Sequence, residues 1–198
     1  MTSNTSEALV KWRSERCKAL DSLLAVHRRV TEGKRGRQWA TEHFNMSMFA
    51  SLASQFQGFC RDLHDETAII LADSLSPGND PQIPIVLNSL VRERKLDRGN
   101  AGPGNIGNDF AIFEIQLWPQ LKNRYPSQAP SWNEVLETLN TLRNGVAHSD
   151  QSKIDEVKRS TPLTLRTWKS WRGKLNSAAT GLDAVVGAYL QNLVGTTW

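Results

Sequence analysis

The sequence predicts an all-α fold, an antiparallel bundle of about four longer helices with a short helical insertion. Along most of the chain, apolar residues recur at spacings of three and four, the period of a helix face that packs against other helices. No segment alternates apolar and polar residues in the way a half-buried strand does. Clusters of proline and glycine, such as Ser76–Pro81, divide the pattern into pieces of helical length. These three observations together favour a helical bundle.

We expect a single domain over residues 1–198. An insertion at about 82–124 contains two short helices on either side of a glycine- and asparagine-rich loop at 99–108, and Pro119 is expected to kink the second of them. Ser131–Glu134 is a capping box that starts the next helix, and Thr161 with Pro162 is expected to start the last one. The predicted helices are, in chain order, 6–30, 38–75, 83–96, 109–123, from 131 into the segment 143–148, and 161–194.

Length, composition and charge exclude several classes of protein. The chain has 198 residues, of which 39% are hydrophobic and 22% are charged, so it is neither intrinsically disordered nor membrane-spanning. The net charge of +4 is compatible with nucleic-acid binding. Two cysteines, Cys17 and Cys60, exclude a disulfide framework and a four-cysteine zinc site, and their helical positions predict buried thiols. The N-terminal residues lack the apolar stretch of a secretory signal, so we expect a cytoplasmic protein.

Several local patterns resemble binding motifs, and for most of them a structural interpretation is favoured. Gly102–Gly107 matches the dinucleotide-binding pattern, but a charged segment rather than a strand precedes it, so a flexible loop is predicted. The histidines are too scattered for a metal site, and we expect neither a metal nor a cofactor. The tryptophans of Trp168–Trp171 have the spacing of core residues. Lys34, Arg35 and Arg37 are candidates for binding RNA phosphates, with a solvated loop as the alternative.

One further pattern, Arg143-Asn-Gly-Val-Ala-His148, lies at a predicted helix end. Its spacing carries no weight alone, because the numbers of arginine and histidine make such a pair expected by chance, and a second match occurs at Arg37 and His43. In a structural interpretation, Arg143 forms a salt bridge with a neighbouring helix and His148 caps a helix end.

The surroundings of this pattern resemble a known family. Leu142-Arg-Asn-Gly-Val-Ala-His148 is similar to the signature of HEPN domains. Phe49–Leu63 resembles the long second helix of the RiboL-PSP-like branch of that family, and Leu182–Leu190 resembles its closing helix.

This resemblance implies a metal-independent endoribonuclease, often a toxin or antiphage defence effector, that acts on RNA as a homodimer. Arg143, Asn144 and His148 become the catalytic residues, and an antitoxin or defence-system protein is a further expected partner. Asp150 stands where nucleotidylated relatives carry tyrosine, which argues against tyrosine AMPylation as the control mechanism. The alternative is a non-catalytic HEPN-like module that binds nucleotide, RNA or a protein partner.

The chemistry of RNA cleavage needs these residue types. Without a metal, the 2′-hydroxyl attacks the phosphorus, and one group must take its proton while another protonates the leaving 5′-oxygen. Histidine titrates near neutral pH and suits both roles, whereas arginine stays charged and binds phosphate oxygens. Asn144 is expected either to donate to a phosphate or to hold the turn that carries His148.

Helix geometry and symmetry add two expectations about this pattern. Positions 143 and 148 lie about 140° apart around an ideal helix, so the helix is expected to loosen, with Gly145 as the place. One chain supplies one histidine for two proton-transfer roles. We therefore expect a two-fold dimer that brings two copies of His148 together.

Overall fold

The computed structural model describes residues 5–30, 41–75 and 81–198, and within these ranges it contains helices and turns but no strand. The all-α prediction is therefore confirmed. The elements are, in chain order, α1 (Glu7–Lys11), a π-helical turn (Trp12–Arg16), α2 (Cys17–Val30), α3 (Glu42–Leu75), α4 (Ile83–Val91), α5 (Lys95–Arg98), α6 (Pro103–Ala111), α7 (Leu117–Arg124), α8 (Ala129–Ala147), α9 (Gln151–Ser160) and α10 (Leu165–Val194).

The predicted N-terminal helix is present as α1, the π-helical turn and α2 in direct succession. Ser6 caps it, because its hydroxyl accepts the N–H of Leu9 at 3.0 Å. The backbone N–H of Ser6 also donates to the buried carboxylate of Asp183 in α10 at 3.1 Å. In the π-helical turn, the buried indole of Trp12 donates to the side chain of Asn176 at 3.0 Å. Both contacts tie the start of the chain to α10.

Helix α3 lies at the centre of the bundle and packs against α1, α4, α8 and α10. Its buried face contacts the tryptophans of α10. The indole of Trp168 donates to the carbonyl of Met48 at 2.9 Å, and Trp171 meets the ring of Phe49 edge-on at 5.1 Å. Both tryptophans are buried, so their interpretation as core residues is confirmed.

The starts of the last two long helices differ from the predictions. Helix α8 begins at Ala129, two residues before Ser131, with Pro130 in its first turn; the fixed φ of proline suits that turn. Helix α10 is capped by Thr164 rather than Thr161, because the Thr164 hydroxyl accepts the N–H of Thr167 at 3.2 Å. Both predicted caps are therefore wrong by a few residues.

Helix α9 is absent from the predictions. It packs against α8 and buries only two side chains, Ile154 and Val157. With two apolar residues in ten, its sequence shows too little periodicity to be detected.

The helix predicted for 83–96 ends early, at Val91. Glu93 has a φ of 63°, a left-handed conformation that an α-helix does not contain. The chain then starts α5, whose first two backbone N–H groups, of Lys95 and Leu96, donate to the carboxylate of Asp109 at 2.7 and 2.8 Å. These hydrogen bonds to Asp109 hold the start of α5, so the chain forms a new short helix there and α4 does not continue.

The loop predicted at 99–108 is wrong over its second half, where α6 begins. Pro103 is the first residue of α6, a position that its fixed φ favours. Ile106 and Phe110, four residues apart on one face, are both buried in the core. Gly107 lets the ring of Trp118 approach, since a Cβ there would lie 3.1 Å from it. Of the three glycines in the pattern, Gly107 therefore serves helix packing.

The helix predicted for 109–123 is divided between α6 and α7. Glu114 has a φ of 60° and separates them. Pro119 is the third residue of α7, so it lies in the first turn and does not kink a longer helix. Buried residues of the insertion join the same hydrophobic core as α3, α8 and α10; they include Leu96, Ile106, Phe110, Leu117 and Leu121. None of the described helices is long and apolar enough to cross a bilayer.

Candidate active site at the end of helix α8

The C-terminal end of α8 carries the Arg-Asn-x3-His pattern. Arg143, Asn144 and Gly145 lie within the helix, and His148 is its C-cap residue. The backbone N–H of His148 donates to the carbonyl of Asn144 at 3.0 Å, which closes the final turn. Ser149 follows with a φ of 53°, so the chain leaves the helix directly after the histidine.

Asp150 turns the chain into α9. Its carboxylate accepts the backbone N–H groups of Ser152 and Lys153 at 3.1 and 3.4 Å, the arrangement of an N-cap. The side-chain hydrogen bond from Ser152 is the main reason that the pKa of Asp150 is lowered. The aspartate at this position is thus an ionised helix cap.

The expected loosening of the helix at Gly145 is wrong. Helix α8 continues through Ala147, and Gly145 is buried beneath α9. A Cβ there would lie 2.9 Å from Cγ1 of Ile154 and 3.2 Å from the carbonyl of Asp150. The glycine therefore allows α9 to pack closely on α8, and it leaves the helix regular.

The three side chains of the pattern differ in exposure and in partners. The imidazole of His148 is exposed, whereas Arg143 and Asn144 are half-buried. Nη1 of Arg143 donates to Oδ1 of Asn144 at 3.2 Å. Among the described residues, the imidazole of His148 has no hydrogen-bond partner, and no hydrogen bond joins it to Arg143. A single chain therefore does not assemble the arginine and the histidine into a contacting pair.

The charge of Arg143 is not neutralised within the part of the chain that the structure describes, because no ion pair involves it there. The structural interpretation expected a salt bridge from Arg143 to a neighbouring helix, and the described residues do not form one. The same interpretation expected His148 to cap a helix end. Its backbone occupies the cap position, while its ring is exposed to solvent. A cation near the C-terminus of α8 is favoured by the helix dipole. The turn presents a guanidinium and an imidazole that are both available to a ligand.

The remaining predicted candidates are distributed elsewhere. Lys34, Arg35 and Arg37 lie outside the described residues, so their proposed contact with RNA stays a prediction. His43, from the second chance match, is exposed near the start of α3. It is an exposed histidine remote in sequence from the α8 turn, which makes it a useful control.

The cysteines agree only in part with the prediction of buried thiols. Cys60 is fully buried, and burial raises its thiol pKa, so it stays protonated. Cys17 is partly exposed and its sulfur lies 3.7 Å from Oδ1 of Asn176. Within the described ranges, no group of three or more histidine, cysteine, aspartate or glutamate side chains is placed to hold a metal ion.

Sequence reasoning missed a polar cluster between α3 and the insertion. His64, fully buried on α3, bonds through Nε2 to the carbonyl of Asp109 at 3.2 Å. Nearby, Arg94 forms ion pairs with Asp65 and with Asp97, the latter at 3.0 Å. The available signal was a histidine on the apolar face of α3, which a polar partner from another element had to satisfy.

Comparisons with known proteins found no relative: no family model, curated protein or solved structure matched this chain.

Proposed function

We propose that this chain is a metal-independent endoribonuclease of the HEPN type, with Arg143, Asn144 and His148 as its catalytic residues. The observation that carries the proposal is that the imidazole of His148 is exposed and without a hydrogen-bond partner in the described structure, at the same helix end as an arginine whose charge is not neutralised there. Water hydrates an exposed imidazole, so its exposure leaves the ring accessible without identifying a ligand. The support comes from the residue types that share this helix end, because an imidazole that titrates near neutral pH and a guanidinium that binds phosphate oxygens are the groups that RNA cleavage needs.

The proposed reaction is an internal transfer at phosphorus. The 2′-oxygen of a ribose forms a bond to the adjacent phosphorus while the bond from phosphorus to the 5′-oxygen of the next nucleotide breaks. One His148 takes the proton of the 2′-hydroxyl, and a second imidazole donates a proton to the 5′-oxygen. Arg143 stabilises the negative charge that develops on the phosphate oxygens. The products are a 2′,3′-cyclic phosphate and a 5′-hydroxyl.

Two copies of the chain are part of the proposal. The reaction uses two imidazoles, and the α8 turn supplies one. A two-fold interface duplicates every residue near its axis, so a homodimer with the α8 ends at the axis supplies both imidazoles and two guanidinium groups. The exposure of His148 and its position at a helix end support this arrangement, because the rest of the described chain does not cover the ring.

A cleavage assay with matched histidine variants tests the proposal. Purified protein is incubated with RNA in EDTA, beside His148→Ala and the control His43→Ala. We expect cleavage by the unaltered chain and by His43→Ala, and a rate about 10²–10⁴-fold lower for His148→Ala, the usual value of acid–base catalysis. Sedimentation of the unaltered chain is expected to give twice the mass of one chain.

Three results would contradict the proposal. Loss of cleavage in EDTA indicates a metal-dependent activity, and an unchanged rate in His148→Ala removes the histidine from the mechanism. Absence of cleavage by the unaltered dimer favours the alternative, a non-catalytic module that binds nucleotide, RNA or a partner. For the toxin or defence role, expression is expected to arrest growth, and His148→Ala is expected to relieve the arrest.

A further inference from the structure

Helix α4 is strongly apolar but is not buried. Six of its nine residues are isoleucine, leucine or valine, and none of the nine is buried in the described structure. Leu87, Leu90 and Val91 pack against the hydrophobic core, and α3 is the main neighbour of the helix. A helix of this composition is normally enclosed by other elements. The described chain therefore leaves part of the apolar surface of α4 without a partner.

The partly covered surface forms a stripe along one side of the helix, the α4 stripe, made of Ile83, Val86 and Leu90. These residues are half-buried and lie three and four positions apart, so they share one side of α4 over two turns. A cavity of about 160 Å³ lies at the end of the stripe, with Leu90 and the exposed Ile112 in its wall. A cavity of about 150 Å³ is large enough to hold benzene. This one is therefore large enough to accept a leucine side chain from a partner.

Positive charge borders the cavity at the end of the stripe. Arg92 and Lys95 belong to its wall and are exposed, and no ion pair involves either of them within the described ranges. The acids of the same wall have partners already. Glu93 pairs with Arg98 at 3.6 Å, and the carboxylate of Asp109 accepts two backbone N–H groups at the start of α5. A partner that covers the stripe is therefore expected to carry acidic residues beside its apolar ones.

A second copy of this chain is a poor match for the α4 stripe. A two-fold axis at the stripe would place Arg92 and Lys95 of one copy near the same residues of the other, and like charges across an interface oppose association. The stripe is also short, because the helix rises only about 10 Å from Ile83 to Leu90. A stable dimer interface buries about 800 Å² on each chain, which is more than two helical turns supply.

We propose that the α4 stripe binds an acidic amphipathic helix of another protein. One apolar side chain of that helix occupies the cavity between Leu90 and Ile112, and the next apolar side chains, three or four positions away, lie along the stripe. Acidic residues beside them contact Arg92 and Lys95. A helix suits this surface, because the described chain has no strand whose edge could pair with an extended peptide. The surface includes no residue of the α8 turn, and its binding does not depend on RNA cleavage.

Selection from a library of helical peptides tests the proposal. A phage-displayed helix with randomised surface positions is selected on the whole chain and counter-selected on the double variant Val86→Asn/Ile112→Asn, in which neither substituted residue is buried. We expect the enriched peptides to carry large apolar residues three and four positions apart, with aspartate or glutamate beside them. A selection that yields no peptide specific for the unaltered chain, or that yields basic peptides, overturns the proposal.

The affinity of one selected peptide is then measured by fluorescence anisotropy. We expect Val86→Asn/Ile112→Asn to weaken binding at least about tenfold. The matched control is Val26→Asn in α2, because Val26 is 44% exposed and Ile112 is 46% exposed. This control should leave the affinity unchanged, and an equal loss in both proteins overturns the proposal.

Charge variants provide the second arm of the experiment. Arg92→Gln/Lys95→Gln is expected to weaken the peptide about tenfold and to reduce the salt dependence of binding. Arg166→Gln/Lys169→Gln, which removes two exposed cations of α10, should change neither. Should Val86→Asn/Ile112→Asn not fold, an unchanged affinity in Arg92→Gln/Lys95→Gln overturns the proposal, because both of these residues are exposed.

Two further results would assign the α4 stripe to a different partner. A smaller mass of Val86→Asn/Ile112→Asn in sedimentation, compared with the unaltered chain, would show that the stripe joins copies of this chain. Binding of the unaltered chain to phosphatidylglycerol vesicles, lost in the same variant, would show that the stripe contacts a membrane surface. Either result overturns the acidic helix as the partner.

Discussion

Two histidines of this chain occupy opposite surroundings. His148, at the end of α8, is exposed and its ring has no partner among the described residues. His64, on α3, is fully buried between Phe110 and Phe113, with Nε2 held by the carbonyl of Asp109. The exposed ring is free to exchange a proton with a substrate, whereas the buried ring is confined to its neutral form over the physiological range. Environment, rather than residue type, therefore distinguishes the two histidines.

Two arginines extend this comparison and give the largest expected effect. Arg143→Gln removes a charge whose only hydrogen-bond partner among the described residues is Asn144. We expect cleavage to fall about 10²–10³-fold, the scale of losing a group that stabilises transition-state charge, with a free energy of unfolding unchanged within about 0.5 kcal/mol. Kinetics and urea unfolding measure the two quantities.

Arg94→Gln is the matched variant in the other region. Its guanidinium bonds to Asp65 and Asp97 and links α3 to α5. Removing it is expected to lower the free energy of unfolding by about 2 kcal/mol and to leave the cleavage rate of the folded protein unchanged. The expected difference between the two arginines would be wrong if Arg143→Gln destabilised the chain and Arg94→Gln abolished cleavage.

The buried ring of His64 predicts a pH effect on the stability of the chain. The folded-state pKa is about 4 and the unfolded value is 6.5, so the unfolded chain binds the proton first as pH falls. The stabilisation is complete above pH 6.5 and is lost toward pH 4. Between pH 7 and pH 4.5 we expect a loss of about 2–3 kcal/mol.

Urea unfolding of the unaltered chain and of His64→Phe at the two pH values isolates this contribution. Two acids whose pKa values burial raises, the buried Asp183 and the half-buried Glu66, are present in both proteins. Their effects therefore cancel in the difference. Equal pH dependence in the two proteins would show that His64 is not held neutral in the folded state.

Two helical glycines give the smallest effect and test how α9 positions the α8 turn. A Cβ at Gly145 would lie 2.9 Å from Ile154, whereas one at Gly173 in α10 meets nothing within 4 Å. Gly145→Ala is expected to destabilise the chain by about 1–3 kcal/mol, and Gly173→Ala to stabilise it by up to about 1 kcal/mol. Thermal unfolding of both variants measures the effects, and a neutral Gly145→Ala would contradict the close packing of α9.

The sequence was sufficient to predict the helices that have a long apolar stripe. It was insufficient where a contact with a residue distant in the chain decides where a helix ends. The stripes of α3 and α10 predicted their helices and the burial of Trp168. The break at Glu93 depends on the carboxylate of Asp109, sixteen positions further along the chain. Local pattern contains no information about such a partner.

The sequence was sufficient to predict which residues form the candidate site, but not how the surrounding helices pack around them. The pattern placed Arg143 and His148 at a helix end, where the structure also has them. The role of Gly145 followed from the docking of α9, an element with too few apolar residues to be predicted. The polar cluster at His64 was missed because it is assembled from α3 and the insertion, which lie far apart in sequence.

The termini of the RNA fragments test the central claim most directly. RNA is incubated with the unaltered chain in EDTA, and both ends of each cut are identified by mass spectrometry. The account predicts 2′,3′-cyclic phosphate and 5′-hydroxyl termini, present with His43→Ala and absent with His148→Ala. Fragments that end in 3′-hydroxyl and 5′-phosphate would mean that water rather than the 2′-oxygen attacks phosphorus, and the proposed roles of His148 and Arg143 would be wrong.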